Sequence, residues 1–252
     1  MLEVGKSLLI LWLALGVQMV LVWRLSVKLN FLSIVDFFWA SGIGVASIFL
    51  MFFLSPPSDH AWVLFFIILA WSMRLSGYLG SRLRRHYPVE DPRYEPLKAN
   101  WSKPKVFLFF QAQAGIQLIL LYPIVVSLNS ESKELHIFEI CAFVLSVLSL
   151  VGESLADYQL KNFKISETQS GKNGVCDVGL WRYSRHPNYF FEWLFWVGVS
   201  ASVVTLAGGW LAVVSPLVML GLLIFVTGVQ PAEERSLKSK GVAYELYQQR
   251  TS

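Results

Sequence analysis

Residues 31–54 read FLSIVDFFWASGIGVASIFLMFFL and carry a single charged residue, Asp36. A stretch this long and this apolar is typical of a membrane-spanning helix, because a span needs about 20 mostly apolar residues. Lipid offers backbone groups no hydrogen-bonding partner, so a continuous apolar span must be helical. This stretch therefore predicts a helical membrane protein.

The composition of the whole chain supports the same class. The 252 residues are 55% hydrophobic and 15% charged, and their mean hydropathy is +0.52. Soluble domains carry about 25% charged residues, and disordered chains are poor in apolar residues, so both classes are excluded. The two cysteines, Cys141 and Cys176, offer neither a disulfide framework nor a zinc site. We expect one integral membrane domain, residues 1–252, without a metal.

Further apolar stretches on both sides of residues 31–54 extend this prediction to the whole chain. Together they predict an all-α, polytopic bundle of seven transmembrane helices. The seven stretches are Ser7–Trp23, Phe31–Leu54, Ala61–Gly80, Val106–Leu128, Ile137–Tyr158, Tyr189–Thr205 and Gly209–Val229.

The distribution of Lys and Arg predicts the orientation. With the N-terminus outside, eighteen of the twenty-one basic residues lie on the cytosolic side; Lys6 and Lys133 lie outside, and Arg74 lies within the third stretch. Cytosolic loops are enriched in Lys and Arg, so the long polar loops 81–105 and 159–187 and the C-terminus are expected to be cytosolic. The net charge of +4 fits this bias better than a nucleic-acid-binding groove. A bacterial inner membrane and an endoplasmic reticulum are equally consistent with the pattern.

Several ionisable residues fall within or against apolar helices, where a charge costs about 2.5–3.5 kcal/mol. Glu139 lies near the end of its stretch, which favours a structural or snorkelling role. Asp36 and Arg74 lie deeper, and a functional role and a structural ion pair both remain open for them.

The densest group of polar residues surrounds the start of the sixth stretch. Glu153 and Asp157 are four residues apart at the end of the fifth stretch, and so are Asn188 and Glu192 in the sixth. Pro187 suits the first turn of a helix, and Arg182, Arg185 and His186 immediately precede it. The N-terminus of a helix attracts anions. The pattern indicates either a nucleotide pocket or a basic loop beside a structural capping network.

The run Arg185-His-Pro-Asn-Tyr-Phe-Phe-Glu-Trp193 resembles the steroid 5-alpha-reductase superfamily, in particular its DUF1295 branch. The similarity extends over most of the chain, through Glu90–Tyr94, Asp157-Tyr158, Glu233-Glu234 and Gly241–Tyr247. It implies a membrane reductase that takes NADPH from the cytosol and reduces a C=C bond conjugated to a ketone in an apolar, lipid-like substrate.

The resemblance also implies the roles of individual residues. The ketone would be polarised by a donor, for which Asp36, Trp71 (where the steroid enzymes have Tyr) and Tyr78 are the counterparts. The cofactor-binding half would be 137–252, joined by basic residues of the third stretch. The implied cofactor-binding residues are Arg74, Arg82, Arg85, Asp157, Lys164, Tyr183, Asn188 and Glu192, and charge and position add Arg182, Arg185 and His186 to them.

Two alternatives use the same residues differently. Isoprenylcysteine carboxyl and phospholipid methyltransferases share an Arg-His-Pro-x-Tyr turn followed by Glu-Glu, which would make S-adenosylmethionine the cofactor. Because that cofactor has no phosphate, the basic cluster favours NADPH. A lipid-binding or scaffold protein without enzymatic activity is the third possibility, although it has little reason to gather Asn, Asp, Glu and several basic residues at one place.

Overall fold

The computed structural model describes residues 2–53, 57–130, 135–170, 174–226 and 228–252. Lys133 and Lys172 of the charge count, and Leu54 at the end of the second predicted stretch, lie outside the described residues. The fold is all-helical, at 83% helix, and the described residues contain no strand. The all-α prediction is therefore confirmed.

Ten α-helices follow one another in the described part of the chain. Their bounds are α1 Leu2–Leu29, α2 Ile34–Phe53, α3 Asp59–His86, α4 Glu95–Asn100, α5 Lys103–Leu128, α6 Ile137–Ser170, α7 Pro187–Ala201, α8 Val214–Gly221, α9 Val229–Lys240 and α10 Val242–Arg250.

Six helical segments of the described chain are long and apolar enough to cross a membrane: α1 from Glu3, α2, α3, α5, α6 and the run Gly209–Lys240. The predicted span at 189–205 corresponds to α7, which has 15 residues and ends at Ala201. Helix α6 has 34 residues, a length of about 50 Å, so it is longer than a hydrocarbon core of about 30 Å.

The chain divides into two compact units. One comprises Met1–Phe143 with Val199–Ser215, and the other comprises Val144–Gly198 with Pro216–Ser252. We call them the α2 unit and the α7 unit, after a helix in each.

In the α2 unit, helix α2 contacts α1, α3 and α5, and α1 also packs on α5. The reason is visible in α1, where Leu11, Leu15 and Met19 are buried while Leu13 and Val17 are exposed. A spacing of four residues places side chains on one face of a helix. That face packs on the other helices, and the exposed apolar face suits lipid.

The same unit contains a cluster of buried polar groups that is completely hydrogen-bonded. The two ring nitrogens of His60 lie 2.7 Å from Ser127 Oγ and 2.7 Å from the Ser202 carbonyl. The two oxygens of Glu139 accept from Thr205 Oγ1, at 2.7 Å, and from the His136 amide, at 3.1 Å. Glu139 thus has the hydrogen bonds of a structural residue.

Candidate functional site

In the α7 unit, the segment before α7 is fixed on α6 by a buried tryptophan. A 3₁₀ turn, Gly179–Arg182, places the Trp181 side chain in the interior, where its indole Nε1 donates to the Ala156 carbonyl at 2.9 Å. Gly179 adopts φ +58°, a conformation that glycine takes most easily. The basic residues that follow this turn are therefore carried on an anchored segment.

Helix α10 and the two residues after it hold the other side of this segment. The Tyr247 hydroxyl donates to the Trp181 carbonyl, and the Arg185 amide donates to the Ser252 backbone oxygen at 2.8 Å. Tyr247 is almost completely buried, and burial raises the pKa of its hydroxyl, which stays protonated as a donor.

Glu233 of α9 is the centre of a group that we call the Glu233 clamp. Its Oε1 lies 3.1 Å from Arg185 Nε and 2.8 Å from His186 Nε2. The Tyr244 hydroxyl also lies 3.3 Å from Oε1, and Gln248 Nε2 donates to Oε2. Burial lowers the pKa of His186 despite the neighbouring carboxylate, so this ring is neutral at pH 7 and donates through Nε2. Arg185 is therefore already paired with a carboxylate.

Asn188 and Asp157 meet at the first turn of α7. Asn188 Nδ2 donates to Asp157 Oδ1 at 3.3 Å. Asn188 Oδ1 is buried, and within the described residues no donor reaches it. Glu192, one turn further along α7, is buried and accepts a 3.0 Å bond from Trp196 Nε1. Two of the predicted cofactor-binding residues, Asp157 and Asn188, are thus in contact in this structure, and their role stays a prediction.

Arg182 differs from Arg185 because no described residue pairs with its guanidinium. It is exposed and lines a cavity of about 370 Å³ with Asp177, Arg250 and Thr251. Arg250 is bound to Asp177 at 2.7 Å. Tyr183 and Lys164, also predicted to bind the cofactor, are exposed.

The α2 unit contains a second group, the α2 clasp, formed by Asp36, Glu90, Asp91, Arg93 and Tyr94. Glu90 caps helix α2 by accepting from the amides of Leu32 at 2.8 Å and Ser33 at 2.9 Å, and from the Ser33 hydroxyl.

The other members of the clasp meet at Asp36 in the first turn of α2. Asp36 accepts from Arg93 at 2.8 Å and from the Tyr94 hydroxyl. Burial, reinforced by the charge of Asp36, raises the pKa of Tyr94 well above its ordinary value. Both oxygens of the predicted catalytic acid are therefore engaged.

Asp91 adds a third carboxylate to the clasp. It accepts from Arg93 Nε at 3.1 Å and pairs with Arg82. Burial alone would raise the pKa of Asp91, but the hydrogen bonds and charge of Arg93, together with the charge of Arg82, lower it to about 2. Arg82, predicted to contact the cofactor, thus has a carboxylate partner within the α2 unit.

The remaining predicted residues lie along α3 in different surroundings. Trp71 is completely buried and packs edge-on against Trp39, with ring centroids 6.1 Å apart. Tyr78 is 48% exposed, Arg74 is half-buried and Arg85 is exposed. Trp71 and Tyr78 therefore do not share one environment.

Sequence reasoning gave no role in the proposed reductase to Glu233, Arg93, Tyr94, Tyr247 or Gln248, although they organise the two groups. Four of them lie in the runs Glu90–Tyr94, Glu233-Glu234 and Gly241–Tyr247, which carry the family resemblance. A resemblance marks such runs, whereas the partners of each side chain depend on the fold.

Comparison with known proteins identifies the family but not an activity. No curated protein and no solved structure matches the chain. A family model described as "Protein of unknown function (DUF1295)" matches residues 22–251. The chain therefore belongs to the DUF1295 family.

Proposed function

We propose that the protein is a membrane oxidoreductase that uses NADPH to reduce the conjugated C=C bond of an apolar, lipid-like enone. The proposal includes seven membrane spans, with α7 as the short sixth, the N-terminus outside, and the cofactor-binding residues on the cytosolic side. The resemblance to steroid 5-alpha-reductases suggests the reaction, and the contacts of the α7 unit support the cofactor.

The observation that carries the proposal is Arg182, which lines a cavity and has no carboxylate partner among the described residues. Glu233 forms an ion pair with Arg185, and Asp177 forms one with Arg250, whereas no described carboxylate pairs with Arg182, whose charge is open to an anionic ligand. An arginine suits phosphate because its guanidinium can donate two parallel hydrogen bonds. NADPH carries a 2′-phosphate and a pyrophosphate, whereas S-adenosylmethionine carries none. Arg182 is thus a better candidate for a phosphate ligand than Arg185.

The other polar groups of this unit also fit a nucleotide. The unpartnered Asn188 Oδ1 can accept from a carboxamide or a ribose hydroxyl, and Asp157 beside it offers a second acceptor. The methyltransferase alternative assigns Glu233 to the cofactor, but here that carboxylate holds Arg185, His186 and Gln248. That alternative uses Glu233 and Glu234 together, and only the exposed Glu234 is then left for its cofactor.

The residues of the α2 unit supply a candidate for polarising the ketone. NADPH supplies a hydride when bound, and negative charge then develops on the ketone oxygen, where a donor is needed. Asp36 and Tyr94 are a hydrogen-bonded acid and phenol, and the raised pKa of Tyr94 keeps its proton in place. Tyr94 has a single O–H, which donates to Asp36 in this structure, so in this proposal that hydrogen turns from Asp36 to the ketone oxygen when the substrate binds. Trp71 and Tyr78 remain predictions.

An activity assay in proteoliposomes tests this function. NADPH oxidation dependent on an added apolar enone is expected for the wild type, and Asp36→Asn should lower turnover about 100-fold while NADPH still binds. Ser33→Ala is the matched control, because it weakens the clasp through Glu90 without removing the acid or the phenol. If Asp36→Asn loses NADPH binding, or keeps its turnover, Asp36 does not have this role.

A further inference from the structure

The cavity beside Arg182 has a second arginine in its wall. Arg182 and Arg250 line this cavity of about 370 Å³ together with Asp177 and Thr251. Arg250 Nη2 lies 2.7 Å from Asp177 Oδ2, whereas no described carboxylate pairs with Arg182. The wall therefore contains two guanidinium groups and one carboxylate, which leaves an excess of positive charge.

Tyr247 supports both arginines. Its hydroxyl donates to the carbonyl of Trp181, the residue before Arg182, and the guanidinium carbon of Arg250 lies over its ring, 5.9 Å from the centroid. Tyr247 is only 2% exposed, so it is a fixed support. A guanidinium that lies over an aromatic ring keeps the N–H groups in its own plane available for a ligand. The two cationic side chains therefore start from one anchored part of the α7 unit.

The ion pair of Arg250 with Asp177 can be exchanged for another anion at little cost. The two side chains are 60% and 42% exposed, and an ion pair that is so open to water is weak because water screens it. A phosphate monoester is a stronger competitor than a carboxylate, since it carries a charge of about −1.5 to −2 at pH 7. It also accepts two parallel hydrogen bonds from one guanidinium. Such a phosphate can therefore take Arg250 away from Asp177.

We propose that the 2′-phosphate of NADPH binds between Arg182 and Arg250, and that Asp177 is a specificity-determining residue, which holds Arg250 until this phosphate replaces it. The inference rests on the proposed use of NADPH. The 2′-hydroxyl of NADH carries no charge, so it cannot displace Asp177. Each phosphate of the pyrophosphate is a diester with a single negative charge, and it has no such advantage over a carboxylate. Asp177 thus favours the cofactor that carries a terminal phosphate.

The experiment is a thermal-shift titration of the full-length protein in detergent with two matched pairs of nucleotides. The pairs are NADPH with NADH, and adenosine 2′,5′-bisphosphate with adenosine 5′-monophosphate, and the members of each pair differ only in the 2′-phosphate. We expect the wild type to bind the 2′-phosphorylated member of each pair about tenfold more tightly or better, since that member alone gains charged hydrogen bonds. Equal affinities within both pairs would overturn the proposal.

Substitutions of the two paired residues should change the affinity for adenosine 2′,5′-bisphosphate in opposite directions. Arg250→Gln removes a phosphate ligand and should lower the affinity about tenfold. Asp177→Asn removes the competitor and should raise the affinity about threefold, which is the strength expected of an exposed ion pair. A purely structural role of Asp177 predicts a loss instead. An unchanged affinity in Arg250→Gln, or an unchanged or lower affinity in Asp177→Asn, overturns the proposal.

Arg235→Gln and Glu245→Gln are the matched controls. Arg235 in α9 and Glu245 in α10 are exposed residues of the α7 unit, and neither lines the cavity. The two substitutions change the net charge by the same amounts as Arg250→Gln and Asp177→Asn. We expect both controls to keep the wild-type affinity for the bisphosphate. A control that matches its partner variant would assign the effect to net charge and overturn the site.

The effect of Asp177→Asn should depend on Arg250. In an Arg250→Gln background, the substitution has no arginine left to release, so it should raise the affinity for the bisphosphate less than it does in the wild type. An equal gain in the two backgrounds would show that Asp177 acts only through its charge and does not compete for Arg250.

Nucleotide binding and enone reduction are measured separately, so the two proposals can fail separately. If NADPH is preferred over NADH to the same degree in the wild type, Arg250→Gln and Asp177→Asn, the 2′-phosphate binds elsewhere and the proposed function stands. If adenosine 2′,5′-bisphosphate follows the expected pattern while no enone is reduced, the phosphate site stands and the proposed reaction is wrong.

Discussion

The α2 clasp and the Glu233 clamp are both built from carboxylates and arginines, but they differ in the balance of charge. In the clasp, Asp36, Glu90 and Asp91 are matched by Arg82, Arg93 and Lys98, the last at 3.8 Å from Glu90. In the clamp, a single carboxylate, Glu233, holds Arg185 and a neutral His186.

Because of this difference, the charges of the clasp are matched within the protein, whereas the α7 unit keeps an excess of positive charge. A balanced set of partly buried ion pairs is electrically neutral without a ligand, so the clasp first of all fixes the 90–94 segment on the start of α2. The α7 unit leaves Arg182 unpaired and Asn188 Oδ1 unpartnered among the described residues. We infer that an anionic ligand belongs to the α7 unit.

The largest effect on stability is expected from opening the Glu233 clamp. Glu233→Gln removes the charge that holds Arg185 and His186, and breaking a largely buried pair of this kind costs about 3 kcal/mol. Glu234→Gln is the matched control, because Glu234 is exposed and its loss should change stability by less than about 0.5 kcal/mol. Thermal unfolding of both variants measures the difference. Equal midpoints would show that the clamp does not stabilise the α7 unit.

The α2 clasp should make the stability of the protein depend on pH in the acidic range. The pKa of Asp91 is about 2 in the fold against an ordinary 3.8, so the unfolded chain binds this proton more readily. The contribution of the ionised Asp91 to the free energy of unfolding is complete above about pH 4. It is lost as the pH falls towards about 2, and it amounts to about 2 kcal/mol. Unfolding followed over this range should therefore show a steeper acid loss for the wild type than for Asp91→Asn. Parallel curves would contradict the pairing with Arg93.

A smaller effect is expected from single hydroxyls. Tyr247→Phe removes the bond to the Trp181 carbonyl, and Tyr122→Phe removes a similar 2.9 Å bond to the Gly208 carbonyl in the α2 unit. Each should cost about 1 kcal/mol of stability. Only Tyr247→Phe should also weaken NADPH binding, by several-fold, because it loosens the segment that carries Arg182. The same loss of affinity in Tyr122→Phe would mean that general destabilisation is the cause.

The sequence predicts the parts of this protein that depend on composition and local pattern. Apolar runs indicated the helices, and the run from Arg185 to Trp193 indicated the family, which the match over 22–251 confirms. Periodicity also placed Asp157 one turn from Glu153 and Asn188 one turn from Glu192, each pair within a single helix.

Partners distant in sequence could not be predicted in the same way. Asp36 was singled out as a charge in an apolar run, but its contacts with Arg93 and Tyr94 span 57 and 58 residues. The hydropathy pattern also could not predict where α7 ends. Residues 202–205 are apolar enough to extend the predicted span, but the helix ends at Ala201.

The most direct test of the account is a thermal-shift titration of the wild type and of Arg182→Gln with NADPH, NADH and S-adenosylmethionine. A ligand that binds only the folded state stabilises it by about 2.7 kcal/mol at a hundredfold excess over Kd. We predict a shift with NADPH, a smaller one with NADH, none with S-adenosylmethionine, and loss of the preference for NADPH in Arg182→Gln. A shift with S-adenosylmethionine alone would contradict the account and assign the α7 unit to methyl transfer.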